Sequence, residues 1–436
     1  MARIRLIRVC LWPFAFSLWA CAAWLQAQGA QGPGGLESTF FDGRTHPAIA
    51  YNERPADDAV ARLDRALEAG EVRLEFEPGS GYLRSLLRTL QIDPDTQLAV
   101  FSKTSLQSPL INPRNPRTIF FNDSVAVAWP RGGFIEIAAQ GPTQGAAFYM
   151  LEQRQTAAPR FRRERSCLTC HVSYATLNVP GPMIRSVATA TDGASLAYLA
   201  NATVDHRTPF EERWAGWFVT GATGRLRHLG NTTVDRINPS AEATPAIAPL
   251  ASMASRLDLA GYLTPHSDVA ALLVFGHQMH MMNLITRIGW QTRVALADEG
   301  LANRAPDAAR TLAAAAVEFV DYLLFVDEPR LPAPVKGTSG FAERFSALGP
   351  RDRRGRSLHE LDLQARVLKY PCSYLIYSPA FDALPTESKT AIYARLNDVL
   401  TGKVTGARYQ RLSAADRQAI LEILRDTKPD FVAAGL

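Results

Sequence analysis

The chain has 436 residues, of which 47% are hydrophobic and 20% are charged, with 29 Gly, 28 Pro and five Cys. This composition excludes an intrinsically disordered chain, a collagen-like repeat and a small disulfide-stabilised domain. The length is sufficient for two or three domains, or for one large core with insertions. The formal net charge of +5 is compatible with nucleic-acid binding only if the basic residues form a patch on the folded chain.

The first thirty residues have the pattern of a secretory signal peptide. Three arginines within the first eight residues precede an apolar stretch over 9–25, and Ala27 and Gly29 provide a small-x-small cleavage site. We therefore expect residues 1–29 to be removed and the mature protein to be periplasmic or otherwise extracytoplasmic. An uncleaved membrane anchor and a lipid tether at Cys21 are the alternatives.

The predicted elements begin with helices and continue with strands. Apolar residues at helical spacing predict helices over 57–69 and 82–90. Short β-rich runs separated by turn residues then predict an antiparallel meander. Its strands are predicted over 98–101, 117–121, 125–129, 134–138 and 146–151. Further short strands are predicted over 187–191, 194–203, 216–220 and 226–229.

The pattern becomes helical after Pro245, where Ser, Thr and Pro residues mark several helix starts. The predicted helices span 250–258, 267–298, 306–326, 357–369, 386–401 and 413–426. The fold class predicted from these patterns is α+β. An antiparallel β-rich region over 30–240 precedes a mostly helical region over 241–436 that packs on it.

The strongest chemical pattern lies in Cys167-Leu168-Thr169-Cys170-His171. This is the C-x-x-C-H pattern of c-type haem attachment, in which two thiols bond to one porphyrin and the adjacent histidine ligates the iron. A dithiol redox site would need a strand-to-helix context that the basic lead-in lacks. A zinc site would need a second ligand pair, and a disulfide between residues three apart would be strained.

At this motif the chain resembles the c-type cytochromes. The resemblance covers these five residues and implies covalently bound haem c, with His171 as iron ligand and Cys167 and Cys170 as attachment points. No other cysteine is followed by histidine, so one haem per chain is expected. After loss of the signal peptide, Cys372 is the one cysteine outside the motif, and we expect a buried free thiol there.

The sheet that leads into the motif gives a second resemblance, to the small haem-c sensor domains of PAS type. Residues 103–106 and 112–116 are similar to segments of those domains, and the resemblance covers about residues 95–190. It implies a haem-based sensor as an alternative function.

The sixth position on the iron separates electron carriers from catalysts. His277, His280 and Met281 lie on the predicted helix over 267–298, where His277 and Met281 project from one face. His206 follows an aspartate that could orient its ring. These four residues are the candidate distal ligands, with His277 first; the alternative for each is an ordinary core or turn position.

Two further features would support a haem at His171. A main-chain carbonyl within 179–182 is expected to accept the proton of the His171 imidazole and strengthen it as a donor, the alternative being a plain turn. Arg185 and Arg207 are candidates to pair with haem propionates, because a guanidinium matches a carboxylate in geometry.

The sequence thus predicts an exported mono-haem c-type cytochrome that transfers single electrons to or from a redox partner protein or a membrane respiratory component. A peroxidase-like haem oxidoreductase, or a redox or gas sensor, is the alternative, since a simple carrier does not need so large a scaffold. No phosphate-binding loop or H-E-x-x-H pattern occurs. The mature chain would have 44 basic and 42 acidic residues, and two propionates would bring its charge close to zero, so no nucleic-acid partner is expected.

Overall fold

The computed structural model describes residues 43–235, 244–298 and 305–435. The predicted signal peptide and the predicted boundary between the two regions at residue 240 lie outside the described residues. All described residues belong to one compact unit.

A seven-stranded antiparallel sheet dominates the first half of the described chain. Six strands that follow one another in the chain lie side by side, and the seventh lies next to the first. The first five form the predicted meander, and the sixth extends it. The strands are β1 (Leu98–Val100), β2 (Arg117–Phe121), β3 (Val125–Pro130), β4 (Ile135–Gly141), β5 (Gly145–Leu151), β6 (Arg162–Arg163) and β9 (Trp217–Phe218). A separate pair consists of β7 (Arg185–Val187) and β8 (Asn201–Thr203).

Alternation along the strands gives the sheet two different buried faces. The outer face packs on helices α1 (Ala59–Glu68) and α2 (Leu83–Thr89), with Val127, Ile137 and Tyr149 at its centre. The inner face, which includes Ile119 and Phe121, belongs to a larger core shared with the helical half. A one-residue slip would exchange these faces, so the hydrophobic pattern fixes the register.

Helix α1 begins where the sequence provides an N-cap. Asp58 Oδ1 accepts hydrogen bonds from the N–H groups of Val60 and Ala61, at 2.9 and 3.0 Å. The other carboxylate oxygen of Asp58 accepts a hydrogen bond of 2.6 Å from the Tyr149 hydroxyl. The cap therefore also joins this helix to the centre of the sheet.

The second half of the chain is helical. Its elements are α4 (Val269–Asp298), α5 (Ala305–Leu323), α6 (Phe341–Ala347), α7 (Pro379–Asp382), α8 (Thr386–Leu400), α9 (Ala414–Thr427) and α10 (Pro429–Ala433). A single helical turn, α3 (Leu168–His171), lies in the first half. The predicted α+β class is confirmed: a sheet is followed by helices.

Helix α4 is the central element of the larger core. It is long and apolar enough to cross a membrane, but 94% of its most apolar 18-residue window is buried inside the protein. It therefore has the burial of a core helix, because a helix that is apolar on all sides needs protein around all of it.

Three predicted elements are absent from the described structure. Residues 250–258 contain only a short 3-10 turn at Met253–Ser255, and residues 226–229 form no strand. The helix predicted over 357–369 is replaced by a turn in which Leu363 has a φ of +55°. The Asp362 carboxylate stabilises this turn by accepting hydrogen bonds from two following N–H groups.

Candidate haem-attachment site

The C-x-x-C-H motif forms one helical turn just after the short strand β6, so the expectation that the basic lead-in contains no strand is wrong. The His171 N–H donates to the Cys167 carbonyl at 2.9 Å, which closes the turn. Residues three and four apart lie on one side of a helix, so both thiols and the imidazole share a face. Cys167 is half-buried, Cys170 is exposed, and both are free thiols. This is the arrangement that attachment of one porphyrin requires.

The His171 imidazole is held in one tautomer. Its Nδ1 lies 2.9 Å from the Gly181 carbonyl oxygen, which can only accept a hydrogen bond, so Nδ1 carries the proton. The Phe148 ring lies beside it, with ring centroids 4.6 Å apart. Nε2 makes no hydrogen bond within the described residues and is left with its lone pair. Burial lowers the pKa of His171, which favours the neutral form that ligates metals.

The segment that provides the carbonyl is fixed on three sides. The Gly181 N–H donates back to the His171 carbonyl at 3.0 Å, and the Ala146 N–H of strand β5 donates to the Pro180 carbonyl at 2.9 Å. From helix α4, Asn283 Nδ2 donates to the Pro182 carbonyl at 2.9 Å. The expected acceptor within 179–182 is therefore present, and it is Gly181.

The inner face of the sheet carries small side chains beside the motif. Phe121, Ala126, Ala138 and Phe148 are cross-strand neighbours in one row, with the two alanines half-buried between the phenylalanines. An alanine has no atoms beyond Cβ, so this row leaves a shallow surface next to the histidine. The same face carries the Arg117–Glu136 ion pair, so the surface beside the motif offers both apolar contact and charge to a group attached there.

The surroundings of the Cys167 thiol disfavour its thiolate form. Burial, with the nearby carboxylates of Glu136 and Glu164, raises the pKa of Cys167 to about 11. Reactive redox thiols in Cys-x-x-Cys motifs have lowered pKa values instead. Glu136 is held in place by Arg117 at 2.7 Å, with each side chain 17% exposed.

The structure brings His206 and His277 together, deep in the core. Their Nδ1 atoms are 2.8 Å apart, and His277 Nε2 lies 2.7 Å from Ser373 Oγ. Both rings stack on Phe325, with centroids 4.6 and 4.1 Å away. Burial lowers the pKa of both histidines well below the usual value. Both nitrogens of His277 are thus engaged, whereas His206 Nε2 is buried without a hydrogen-bond partner in the described chain.

The other two distal candidates have different surroundings. His280 is half-buried, with Nε2 3.3 Å from Arg207 Nη2, and burial lowers its pKa to about 4. Met281 is fully buried in the core. Within the described residues, no hydrogen bond or ring contact joins His171 to any of the four candidates. The identity of a distal ligand therefore stays a prediction.

The two arginines proposed for propionates differ in their charge partners. Arg207 is paired with Asp205 at 2.6 Å and stacks over the Tyr322 ring at 4.9 Å. Arg185 contacts the uncharged amide of Asn201 and has no carboxylate partner among the described residues. Arg185 therefore keeps a charge available for an anionic group, whereas that of Arg207 is already neutralised.

A cavity of about 550 Å³ lies elsewhere, at the strand ends beyond Phe121 and Gln140. Its other walls include Ala59 and Arg62 of helix α1, and Phe341 and Arg344 of helix α6. None of the predicted site residues lines it. The chemistry predicted from the motif and this cavity are therefore separate features.

Phe148 and Asn283 were missed by the sequence reasoning. Phe148 lies in a predicted strand, but only the register places it beside His171. Asn283 is a polar residue with apolar neighbours at 281–282 and 284–285, which is the indication that the sequence offers. Cys372 is buried and free, as predicted.

No group of three or more His, Cys, Asp or Glu side chains that could hold a metal ion occurs among the described residues. Haem iron takes most of its ligands from the porphyrin and needs only one or two from the protein, so this finding and the motif are compatible. Comparisons with family models, curated proteins and solved structures found no match to this chain.

Proposed function

We propose that this chain is an exported mono-haem c-type cytochrome that binds haem covalently and transfers one electron at a time in the periplasm. The observation that carries the proposal is the state of His171. Its Nδ1 proton is committed to the Gly181 carbonyl, and its Nε2 is free on the face that also bears two reduced thiols.

Haem c, when bound, would supply a one-electron Fe(III)/Fe(II) couple. Cys167 and Cys170 would hold the porphyrin through thioether bonds, and His171 would ligate the iron. The chain's own contribution is to fix the imidazole: the Gly181 carbonyl makes it a stronger donor, and Phe148 restricts its rotation.

Electron transfer to a protein or membrane partner also needs an accessible contact surface near the motif. Tyr174, three residues after His171, is 86% exposed. Leu106 is also exposed, and its neighbour Ser105 donates to Glu136 at 2.6 Å. The region around these two side chains is where we expect a partner to dock.

The test is alkaline pyridine spectroscopy of the protein purified from a host that attaches haem c during export. We expect one haem c per chain and a mature chain that begins near residue 30. The variant C167A/C170A should carry no covalent haem, whereas the matched variant C372A, which alters a cysteine outside the motif, should carry a full complement. Absence of covalent haem in the unmodified protein would overturn the proposal.

The ferric absorption and EPR spectra then separate carrier from catalyst. A low-spin, six-coordinate iron supports electron transfer. A high-spin, five-coordinate iron with an open site would instead indicate the oxidoreductase or sensor alternative. Substituting His206 or His277 by alanine should change these spectra only if that residue ligates the iron.

A further inference from the structure

Asn283 connects the central helix of the core to the segment that holds His171. Its side chain is 1% exposed. Nδ2 donates to the Pro182 carbonyl at 2.9 Å, and this carbonyl cannot donate, so the orientation of the amide is fixed. The other amide atom, Oδ1, is buried and makes no hydrogen bond within the described chain.

Oδ1 instead lies directly against Gly181. A Cβ added at Gly181 would come within 1.9 Å of it, so Oδ1 occupies the place where any other residue would begin its side chain. One amide thus restrains two consecutive residues. Its Nδ2 donates to the Pro182 carbonyl, and its Oδ1 packs against the Cα of Gly181.

Gly181 is also the residue whose carbonyl accepts the His171 proton. The distance between this carbonyl and Nδ1 therefore depends on the position of a segment that Asn283 restrains. A hydrogen bond from the non-ligating ring nitrogen of a metal-bound histidine raises the basicity of the ring and tunes the metal that it binds.

We propose that Asn283 is a positioning residue that sets the reduction potential of the haem through the Gly181–Pro182 segment. The inference rests on the proposed haem at His171. When the segment is released, the hydrogen bond to Nδ1 lengthens and the imidazole becomes a weaker donor. A weaker donor stabilises the ferric iron less, so the reduction potential rises.

The same helix offers a matched control in Gln278. Gln278 is also 1% exposed, and its Nε2 donates to a backbone carbonyl, that of Asn122, at 2.6 Å. This carbonyl belongs to the turn between β2 and β3, and Gln278 lies about 140° round the helix from Asn283. Its Oε1 also accepts a hydrogen bond of 2.7 Å from the Tyr374 hydroxyl. The loss of this amide should therefore weaken the core at least as much as the loss of Asn283, without altering the segment at Gly181.

The experiment compares the midpoint potential of the haem in the unmodified protein, N283L and Q278M, where each variant replaces the amide by an apolar side chain of similar length. We expect N283L to shift the equilibrium towards reduced haem about tenfold, which is about 59 mV for a one-electron couple. Q278M should leave the potential unchanged. Should N283L not fold, N283A makes the same test with a smaller side chain.

The outcomes distinguish the two proposals. Absence of haem c from the unmodified protein overturns the proposed function. Haem c present with an unchanged potential in N283L, or with an equal shift in Q278M, overturns the role of Asn283 and leaves the proposed function standing.

Discussion

The close approach of Gly181 and Asn283 makes a quantitative prediction about stability that needs no haem. In G181A the new Cβ would lie 1.9 Å from Oδ1 and 2.7 Å from Cγ of Asn283. The amide or the segment must move, and such overpacking costs about 1–3 kcal/mol. In N283A the Pro182 carbonyl loses its buried donor, which costs a further ~1–3 kcal/mol.

The double variant G181A/N283A should not show the sum of these losses. With the amide gone, the Cβ at position 181 enters the space that Oδ1 and Cγ occupied. We therefore expect the double variant to be about as stable as N283A, which corresponds to a coupling free energy of about 2 kcal/mol between the two sites.

Urea unfolding followed by tryptophan fluorescence measures this coupling, provided that the dependence of the unfolding free energy on urea is the same in all four proteins. The matched pair G181A/Q278A should be additive, because Gln278 does not contact the segment. If G181A and N283A add to within about 0.5 kcal/mol, the described contact between them is wrong.

Three further predictions concern pH and the cysteines. Burial lowers the pKa of His228 to about 4 in the folded protein. Below about pH 6.5 the unfolded chain therefore binds a proton at this residue before the folded protein does, so the stability falls by about 2 kcal/mol between pH 7 and 5. In urea titrations at these two pH values, H228N should lose correspondingly less stability. A second prediction concerns protein made without haem attachment, in which alkylation followed by mass spectrometry should label Cys170 first, Cys167 slowly and Cys372 only on unfolding. Burial raises the pKa of the last two thiols, which makes them less reactive. Rapid labelling of Cys372 in the native state would contradict its burial. In the same protein, C167A/C170A should change the unfolding free energy by no more than about 0.5 kcal/mol, since neither residue lies in a hydrophobic core of the described chain.

The meander could be predicted because its determinants are local. Strand β2, for example, has the predicted bounds, 117–121, and the Asn122 side chain that follows it accepts hydrogen bonds from two N–H groups to form the turn into β3. The helix predicted over 357–369 is wrong because the conformation of this region depends on contacts that are not local. Two of its carbonyl groups accept hydrogen bonds from a separate segment: the Leu331 N–H donates to the Ala365 carbonyl at 3.0 Å, and the Val335 N–H donates to the Leu363 carbonyl at 2.8 Å. A single sequence does not reveal such a partner.

The same division applies to the site. The motif is contiguous, and the carbonyl that fixes His171 comes only ten residues later, so both could be predicted. Phe148 and Asn283 reach the site through strand register and helix packing, which depend on the whole fold. His206 and His277 are separate candidates for the distal ligand, each because of its neighbours in the sequence. Nothing in the sequence indicates that the two side chains contact each other.

The peripheral position of the C-x-x-C-H turn has a consequence for the order of events during maturation. No side chain between residues 162 and 175 is fully buried, and none belongs to the described hydrophobic clusters. The sheet and helices can therefore complete their cores without this stretch. Under the proposed function, we therefore expect folding to come first and the porphyrin to be added afterwards, at the surface.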